Sequence, residues 1–201
     1  MAESRAVCGE RVRRPFDAVL FDRDGTLVVD VPYNADPTLV TPLPTVADTM
    51  RRLREDGIRV GVVTNQSGVG RGLITTEQLQ EVHEAIDDLI GPFDVWEVCT
   101  HAPEAHCECR KPRPGLLLAA MSRLGVQPSR TVMIGDIGSD LDAAAAAGVL
   151  GVLVPTPATR QDEVAAAGLV AHDLAAAVEL AAGHLAADQA MREAEAVGAG
   201  S

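Results

Sequence analysis

The sequence has few aromatic residues, few bases and few cysteines. Only 2% of its 201 residues are Phe, Trp or Tyr, although 47% are hydrophobic, so the core must be built from Val, Leu, Ile and Ala. Lys and Arg number 17 against 29 Asp and Glu, which gives a net charge of −12. This charge argues against a general nucleic-acid binder, because no basic field would attract the phosphates. A small anionic substrate would need a local positive cluster or a metal ion.

The sequence also lacks a long apolar run. No stretch approaches the ~20 apolar residues that span a bilayer, and residues 1–15 are polar and contain arginines, unlike a secretory signal. We therefore expect a cytoplasmic protein with no membrane partner and with reduced thiols. The length predicts one domain over residues 16–186, preceded by a flexible arm at 1–15 and followed by a disordered tail at 187–201.

Apolar runs alternate with amphipathic stretches along the chain. Strands are predicted at 17–21, 58–63, 95–99, 131–135 and 151–154. Helices are predicted at 45–56 after a Thr45 cap, at 75–90 from a Thr75–Gln78 capping box, at 114–125 and at 141–147. Strands that alternate with helices indicate a Rossmann-like α/β fold, in which a parallel sheet carries helices on both faces.

Polar residues follow three of the predicted strands. Asp22 and Asp24 come after the first strand, Thr64 and Asn65 after the second, and Asp136 after the fourth. In open α/β sheets, ligands bind beyond the carboxyl ends of the strands. We therefore expect these side chains to meet in one site.

Asp22 and Asp24 are two carboxylates separated by one residue and followed by a glycine that permits a tight turn. One of two nearby carboxylates can stay ionised as a nucleophile while the other exchanges protons. A carboxylate that attacks a phosphoryl group needs a cation, and Asp136 is well placed to hold magnesium with Asp22. Alone, an Asp-x-Asp pair is more often a turn or a helix cap.

Donors for a phosphoryl group occur at other points of the chain. Thr64 and Asn65 can donate hydrogen bonds to phosphoryl oxygens, Lys111 offers a point charge, and Arg110 offers a planar fork. Arg110 can equally be a surface residue that pairs with Glu108 or with the C-terminal end of a helix. The combination of these residue types, in this order, favours a catalytic interpretation.

Four ordered motifs resemble those of the haloacid dehalogenase superfamily. They are Asp22-Arg23-Asp24-Gly25-Thr26, Val63-Thr64-Asn65-Gln66-Ser67-Gly68, Arg110-Lys111-Pro112 and Gly135-Asp136. The resemblance implies a phosphatase in which Asp22 becomes an aspartyl-phosphate, and Asp24 first protonates the leaving group and then activates water. It further implies a magnesium ion held by Asp22, Asp136 and the backbone carbonyl of Asp24. Thr64 and Lys111 would bind the phosphoryl group, with Asp140 supporting the metal or Lys111. Gly25, Thr26, Asn65 and Arg110 are the predicted substrate contacts.

Cys99, His101, Cys107 and Cys109 lie within eleven residues. Three thiols and an imidazole suit a closed tetrahedral zinc site of structural type, because no position is left open for water. The alternatives are a regulatory disulfide and unconnected free thiols, and His106 is a competing ligand. Cys8 is expected to be free.

A zinc loop directly before Arg110 resembles two families within the superfamily, the D-glycero-D-manno-heptose 1,7-bisphosphate 7-phosphatases and the histidinol-phosphate phosphatases. The segment at residues 64–68 followed by Arg71-Gly72 resembles the heptose family, as does the Val29-Asp30 pair. The spacing of five residues between His101 and Cys107 is closer to the histidinol type. A catalytically silent zinc-stabilised binding module is the alternative from another class. The motif spacing leaves no room for a separate cap domain, and we expect a monomer or small homo-oligomer.

Overall fold

The computed structural model describes residues 15–198, and their centre is a five-stranded parallel sheet in the order β3-β2-β1-β4-β5. The strands are β1 Ala18–Phe21, β2 Arg59–Asn65, β3 Val95–Cys99, β4 Thr131–Gly135 and β5 Leu150–Leu153. The chain moves outward from β1 through β2 to β3, then returns to place β4 on the other side of β1. Such a reversal is the point at which ligands bind in open α/β sheets.

Helices connect the strands. They are α1 Val46–Glu55, α2 Ser67–Gly70, α3 Thr76–Ile90, α4 Gly115–Leu124, α5 Gly138–Ala146, α6 Gln161–Ala166 and α7 Leu174–Gly198, with short 3-10 turns at Pro37–Leu39, Pro103–Ala105 and Pro128–Arg130.

The alternating side chains of β1 separate two apolar layers. Val19 and Phe21 pack in a layer with residues of α1, α3 and α7, whereas Ala18 and Leu20 pack in a layer with residues of α4 and α5. All four side chains are fully buried, as expected for a central parallel strand covered on both faces. The predicted Rossmann-like α/β fold is confirmed.

Most element boundaries agree with the prediction to within two residues, and β3 and β4 coincide with it. There are two exceptions, the start of α5 and the short helix α2. Helix α5 begins three residues early, at Gly138, because the Asp140 carboxylate accepts a hydrogen bond from Ile137 N at 3.2 Å. The four-residue helix α2 lies in a turn that the periodicity of the sequence does not resolve.

Thr75 caps its helix as predicted, but Thr45 does not. Gln78 N donates to Thr75 Oγ1 at 3.1 Å, and Thr75 N donates to Gln78 Oε1 at 2.9 Å. Thr45 has a φ of 66° in the left-handed region and makes no side-chain hydrogen bond to α1. In that conformation only its backbone carbonyl serves the helix, through Thr49 N at 2.9 Å.

The prediction of a disordered tail from residue 187 is wrong for the described part of it. Helix α7 continues to Gly198, because residues 187–197 contain no Gly or Pro and consist mostly of Ala and other good helix formers. A hydrogen bond from Gln189 Nε2 to Glu193 Oε1 at 2.9 Å adds support between successive turns. Residues 199–201 and the predicted arm at 1–14, which includes Cys8, lie outside the described residues.

The edge of the sheet is covered by loops. A loop and α1 lie between Asp24 and β2, and the segment from Asn65 to Lys111 contains α2, α3, β3 and the cysteine-rich loop. Residues 15–198 therefore contain no second folded unit above the sheet, as predicted. Within the same range, no helix combines the length and apolar character that crossing a membrane requires.

Candidate active site

A cleft of about 430 Å³ opens at the carboxyl ends of β1, β2 and β4. Its lining combines residues that follow these three strands with others from the loops around them. The lining residues are Asp22, Asp24, Asp30, Thr64, Asn65, Arg110, Lys111, Asp136, Ile137, Ser139 and Ala158. The fold therefore brings together most of the residues that the motifs single out.

Lys111 is a buried cation next to Asp22. Its Nζ lies 2.7 Å from Asp22 Oδ1 and 2.6 Å from Asp140 Oδ1, and it donates a hydrogen bond to Val63 O at 2.8 Å. Burial opposes its charge, but Asp140 and Asp22 outweigh burial, and the pKa of Lys111 is raised above its ordinary value. The ammonium group therefore stays charged and partly neutralises the acidic site.

Carboxylates crowd the other side of Asp22. Oxygen atoms of Asp22, Asp136 and Asp140 lie within 4.8 Å of one another. Burial, followed by repulsion from Asp22 and Asp140, raises the pKa of Asp136 to about 8. A hard divalent cation such as Mg²⁺ binds carboxylate oxygens of this kind and would relieve the repulsion, so the donor set fits the predicted metal.

Gly25 and Thr26 are not part of the cleft lining. Gly25 has a φ of +75°, and a Cβ there would overlap the Asp136 carboxylate, so the glycine provides space for that carboxylate. Thr26 is 2% exposed, and its hydroxyl has no hydrogen-bond partner among the described residues. The predicted side-chain contact of Thr26 with substrate is therefore not supported, because its side chain is buried behind the site.

Asp24 reaches the cleft and is held from behind by Arg23 and Gln66. Arg23 Nε donates to Asp24 Oδ1 at 2.9 Å, and Arg23 Nη2 donates to Asp24 Oδ2 at 2.8 Å. Gln66 Nε2 donates to Asp24 Oδ2 at 2.8 Å and to Thr64 Oγ1 at 2.9 Å. The Asp24 side chain is 24% exposed and that of Arg23 only 2%.

Asn65 connects the end of β2 to Lys111. Its Nδ2 donates to Lys111 O, and Lys111 N donates to its Oδ1, both at 3.1 Å. This reciprocal pair fixes the backbone of Lys111 beside β2. One Nδ2–H remains for the predicted contact of Asn65 with a phosphoryl oxygen.

Arg110 lines the cleft, and its Nη1 is buried without a hydrogen-bond partner among the described residues. The alternative pairing of Arg110 with Glu108 is not observed among the described residues, and Glu108 pairs with Arg113 at 2.7 Å. Arg113 Nη1 also donates to the carbonyls of His106 at 2.6 Å and Cys107 at 3.0 Å. Arg113 therefore holds the cysteine-rich loop, and Arg110 keeps donors for an anion.

The four predicted zinc ligands converge. The Sγ atoms of Cys99, Cys107 and Cys109 lie 3.3–3.6 Å from one another, and His101 Nδ1 lies 3.3 Å from Cys109 Sγ and 3.6 Å from Cys99 Sγ. Tetrahedral ligands at about 2.3 Å from zinc would lie roughly 3.8 Å apart, so this set fits a closed site. The three cysteines form no disulfide, and His106 is not in the cluster.

Arg23, Gln66 and His83 are buried polar residues that the sequence analysis did not assign to the site. The His83 ring stacks on Trp96 with a centroid distance of 4.3 Å. Its position on the apolar face of α3 was the available signal. Nothing local in the sequence indicates that Arg23 is buried.

The loop after β5 also contributes to the site without a signal in the sequence. Thr159 Oγ1 donates to the backbone carbonyl of Asp136 at 2.7 Å, and Ala158 lines the cleft. Asp30 lies on the opposite loop, and burial followed by repulsion from Asp24 raises its pKa.

Comparisons with known proteins agree with this geometry. The haloacid dehalogenase-like hydrolase family model matches residues 31–148. A D-glycero-beta-D-manno-heptose-1,7-bisphosphate 7-phosphatase of Yersinia pestis is 38% identical over 167 residues, which cover 74% of this chain and 87% of the relative. A probable D-glycero-D-manno-heptose-1,7-bisphosphate 7-phosphatase of Thermoplasma volcanium is 34% identical over 122 residues, which cover 59% of this chain and 84% of the relative.

Among solved structures, the D,D-heptose 1,7-bisphosphate phosphatase of B. bronchiseptica in complex with magnesium and phosphate has a TM-score of 0.73 and 32% identity. The superposition covers 81% of this chain and 96% of that one. The match of the family model and the extent of the similarity are sufficient to assign the family. The chain belongs to the haloacid dehalogenase-like hydrolases and is a phosphatase.

Proposed function

We propose that this phosphatase removes the 7-phosphate of D-glycero-D-manno-heptose 1,7-bisphosphate. The proposal is supported by the relatives that carry this activity in their names. The observation that carries it is Arg110, which lines the cleft with a buried Nη1 that has no hydrogen-bond partner within residues 15–198. A guanidinium beside the reacting phosphate is suited to a second anionic group, as a bisphosphate would provide.

In the first step, a carboxylate oxygen of Asp22 attacks phosphorus, and the bond from phosphorus to the leaving oxygen of the sugar breaks. Asp24, in its acid form, gives that oxygen a proton. The product is the free sugar hydroxyl and an aspartyl-phosphate on Asp22. Lys111, at 2.7 Å from Asp22, compensates negative charge throughout this step.

In the second step, Asp24 takes a proton from water as the water oxygen attacks phosphorus. The bond from phosphorus to Asp22 breaks, which releases inorganic phosphate and restores the carboxylate. Both roles need an Asp24 carboxylate that faces the cleft, and the position of Asp24 in the cleft lining supports them. Thr64, whose Oγ1 accepts from Gln66 Nε2 at 2.9 Å and keeps its hydroxyl proton for donation, would donate that proton to a phosphoryl oxygen.

Two metals belong to the proposal. Asp22, Asp136 and the backbone carbonyl of Asp24 would hold Mg²⁺, which supplies charge neutralisation between carboxylate and phosphoryl group when bound. Asp140 is occupied by Lys111 and supports that residue. Cys99, His101, Cys107 and Cys109 would hold a structural Zn²⁺ that orders the loop before Arg110.

The test is phosphate release from a panel of substrates in the presence of magnesium. The panel contains both anomers of the heptose 1,7-bisphosphate, the heptose 1-phosphate and 7-phosphate, histidinol phosphate and a 3′-phosphorylated oligonucleotide. We expect the highest kcat/KM for a heptose bisphosphate, with loss of the 7-phosphate alone, and no turnover with a chelator present.

Histidinol phosphate is the competing substrate, because five residues separate His101 from Cys107. A higher kcat/KM for histidinol phosphate would reject the heptose proposal. The Arg110→Ala variant separates substrate choice from chemistry, since it should raise KM for the bisphosphate more than for the 7-phosphate.

A further inference from the structure

Arg23 is a buried cation that lies outside the cleft. Its side chain is 2% exposed and is not part of the cleft lining, so it does not meet the substrate. Its donors reach Asp24 twice, Gln66 Oε1 at 3.0 Å, and His83 Nε2 at 3.4 Å. Asp24 is its only anionic partner within 4 Å among the described residues. The charge of Arg23 is therefore committed to the Asp24 carboxylate.

Arg23 also determines which way the Gln66 amide faces. Because a guanidinium only donates, Gln66 must present Oε1 to Arg23, and its Nε2 then faces Asp24 and Thr64. Both protons of Nε2 are used, at 2.8 and 2.9 Å. The same contact makes the Thr64 oxygen an acceptor and leaves the proton of its hydroxyl available for a ligand in the cleft.

His83 closes the network on the side away from the cleft. Its Nε2 has to accept from Arg23, so the ring is neutral with its proton on Nδ1. Burial, followed by the nearby Arg23, lowers the pKa of His83 to about 3. The His83 ring is stacked on Trp96, and Trp96 is itself held by a hydrogen bond from its Nε1 to Asp87 at 3.2 Å.

The three contacts on Asp24 limit what its carboxylate can still accept. A carboxylate has about four lone-pair sites, and Arg23 and Gln66 occupy three of them. The remaining site lies on the part of Asp24 that is exposed to the cleft. The carboxylate is thus oriented so that a proton is exchanged on the substrate side alone.

We propose that Arg23 is a positioning residue that, together with Gln66, holds the Asp24 carboxylate in the orientation for proton transfer. The proposal rests on the proposed function in one respect, the assignment of proton transfer to Asp24. It predicts that loss of the paired Arg23–Asp24 hydrogen bonds slows the steps that need Asp24 and leaves the other steps unchanged. Displacing a catalytic group by about 1 Å costs on the order of 100-fold in rate.

An aryl phosphate such as p-nitrophenyl phosphate separates the two steps. Its leaving group departs without a proton, so formation of the aspartyl-phosphate does not need Asp24 as an acid. Hydrolysis of the aspartyl-phosphate still needs Asp24 as a base. We would compare the wild type with Arg23→Lys, which keeps the charge but loses the planar fork. The expected result for Arg23→Lys is a burst of one nitrophenolate per chain, followed by turnover about 10- to 100-fold below wild type. KM should fall in parallel with turnover, so that kcat/KM changes by less than about threefold.

Asp24→Asn is the benchmark, and it should show the same pattern with lower turnover. Adding Arg23→Lys to Asp24→Asn should cause no further loss, because Arg23 would then have nothing to orient. Arg52→Lys, an exposed arginine on α1, is the matched control and should behave as wild type. Gln66→Met should lower turnover about 3- to 10-fold and keep the burst, which provides a second variant if Arg23→Lys does not fold.

Three results would overturn the proposal: turnover of folded Arg23→Lys within threefold of wild type, a burst lost in parallel with turnover, or failure of both Arg23→Lys and Gln66→Met to fold. The last two would identify the network as structural. Full activity of Asp24→Asn is a different outcome, because it would reject the proposed function itself.

Discussion

At the residue scale, the site depends on one lysine that balances two carboxylates. Lys111 lies 2.7 Å from Asp22 and 2.6 Å from Asp140, and Asp140 is fully buried. Buried ion pairs contribute little net stability compared with apolar pairs, but removing one partner leaves an uncompensated charge. The role of the triad is therefore to hold a charged Lys111 in place beside Asp22.

Replacing Lys111 with Met should lower the free energy of unfolding by about 3–5 kcal/mol and abolish turnover, because Asp140 would remain buried without a cation. Urea denaturation measures the first effect. The double variant Lys111→Met/Asp140→Leu should lose clearly less stability than the sum of the two single variants and remain inactive. Additive losses would contradict the coupling seen at 2.6 Å.

His83 makes stability depend on pH. Its pKa of about 3 in the folded chain lies below the ordinary 6.5, so the unfolded chain takes up a proton between these values and the folded chain does not. This contribution to stability is complete above pH 6.5 and is lost as the pH falls toward 3. From pH 7 to pH 5 the free energy of unfolding should fall by roughly 2 kcal/mol through His83 alone.

The measurement is urea denaturation at pH 7 and pH 5. His83→Gln should remove that share of the decrease, whereas His172→Gln, at an 84% exposed side chain, should retain it. An equal decrease in His83→Gln and wild type would show that His83 is not held neutral.

At the element scale, strand ends and loops each contribute residues to the site. Strands β1, β2 and β4 bring Asp22, Thr64 and Asp136 to one edge of the sheet, and the loop from Cys99 to Cys109 brings Arg110 and Lys111 to it. The position of this loop is tied to the four converging thiol and imidazole groups. Its order should therefore depend on metal.

We expect about one zinc per purified chain, because four ligands converge without an open position. Elemental analysis gives the metal content, and thermal denaturation with and without a chelator gives its effect on stability. The Cys107→Ser/Cys109→Ser variant should lose the zinc and lower Tm, while Cys8→Ser, at the cysteine predicted to be free, should change neither. A full complement of zinc in the double variant would contradict the assignment.

The order of strands and helices could be predicted because each strand is an apolar run and most helices carry caps or stops. Strand β3 and the capping box of α3 are examples. Thr45 shows the limit, since a side chain suited to capping takes a left-handed backbone conformation and leaves the cap unmade. The end of α7 shows another, because an alanine-rich segment near the end of the chain forms a helix.

Site residues that belong to recognisable motifs could be predicted from the sequence. Residues whose partners are distant in the sequence could not. Asp22, Lys111 and Asp136 follow from their motifs and meet as expected. Arg23 is different, because its partners Gln66 and His83 lie 43 and 60 residues away in sequence. These partners meet Arg23 only when α3 and the end of β2 are brought beside it by the fold.

At the scale of the whole molecule, an acidic chain binds an anion by concentrating cations in one place. The net charge is −12, yet Lys111 and Arg110 both line the cleft among four aspartates, Asp22, Asp24, Asp30 and Asp136. These aspartates would repel a phosphate in the absence of a divalent cation. Binding of metal and of phosphate should therefore be coupled.

Magnesium and inorganic phosphate together should raise Tm by more than the sum of their separate effects, since each neutralises charge that opposes the other. Thermal denaturation in the four combinations tests this. Asp136→Asn should abolish the increase, and Asp142→Asn, an exposed position on the same helix as Asp140, should keep it. A phosphate effect of equal size without magnesium would contradict the coupling.

The central claim is that Asp22 carries the phosphoryl group during turnover. Asp24→Asn is incubated with magnesium and p-nitrophenyl phosphate, quenched in acid and digested, and the peptide from Val19 to Arg23 or its extension is weighed by mass spectrometry. We predict the added mass of one phosphoryl group on Asp22, and none in Asp22→Asn. Phosphate release by Asp22→Asn at a substantial fraction of the wild-type rate, or no phosphorylated peptide in Asp24→Asn, would contradict the account.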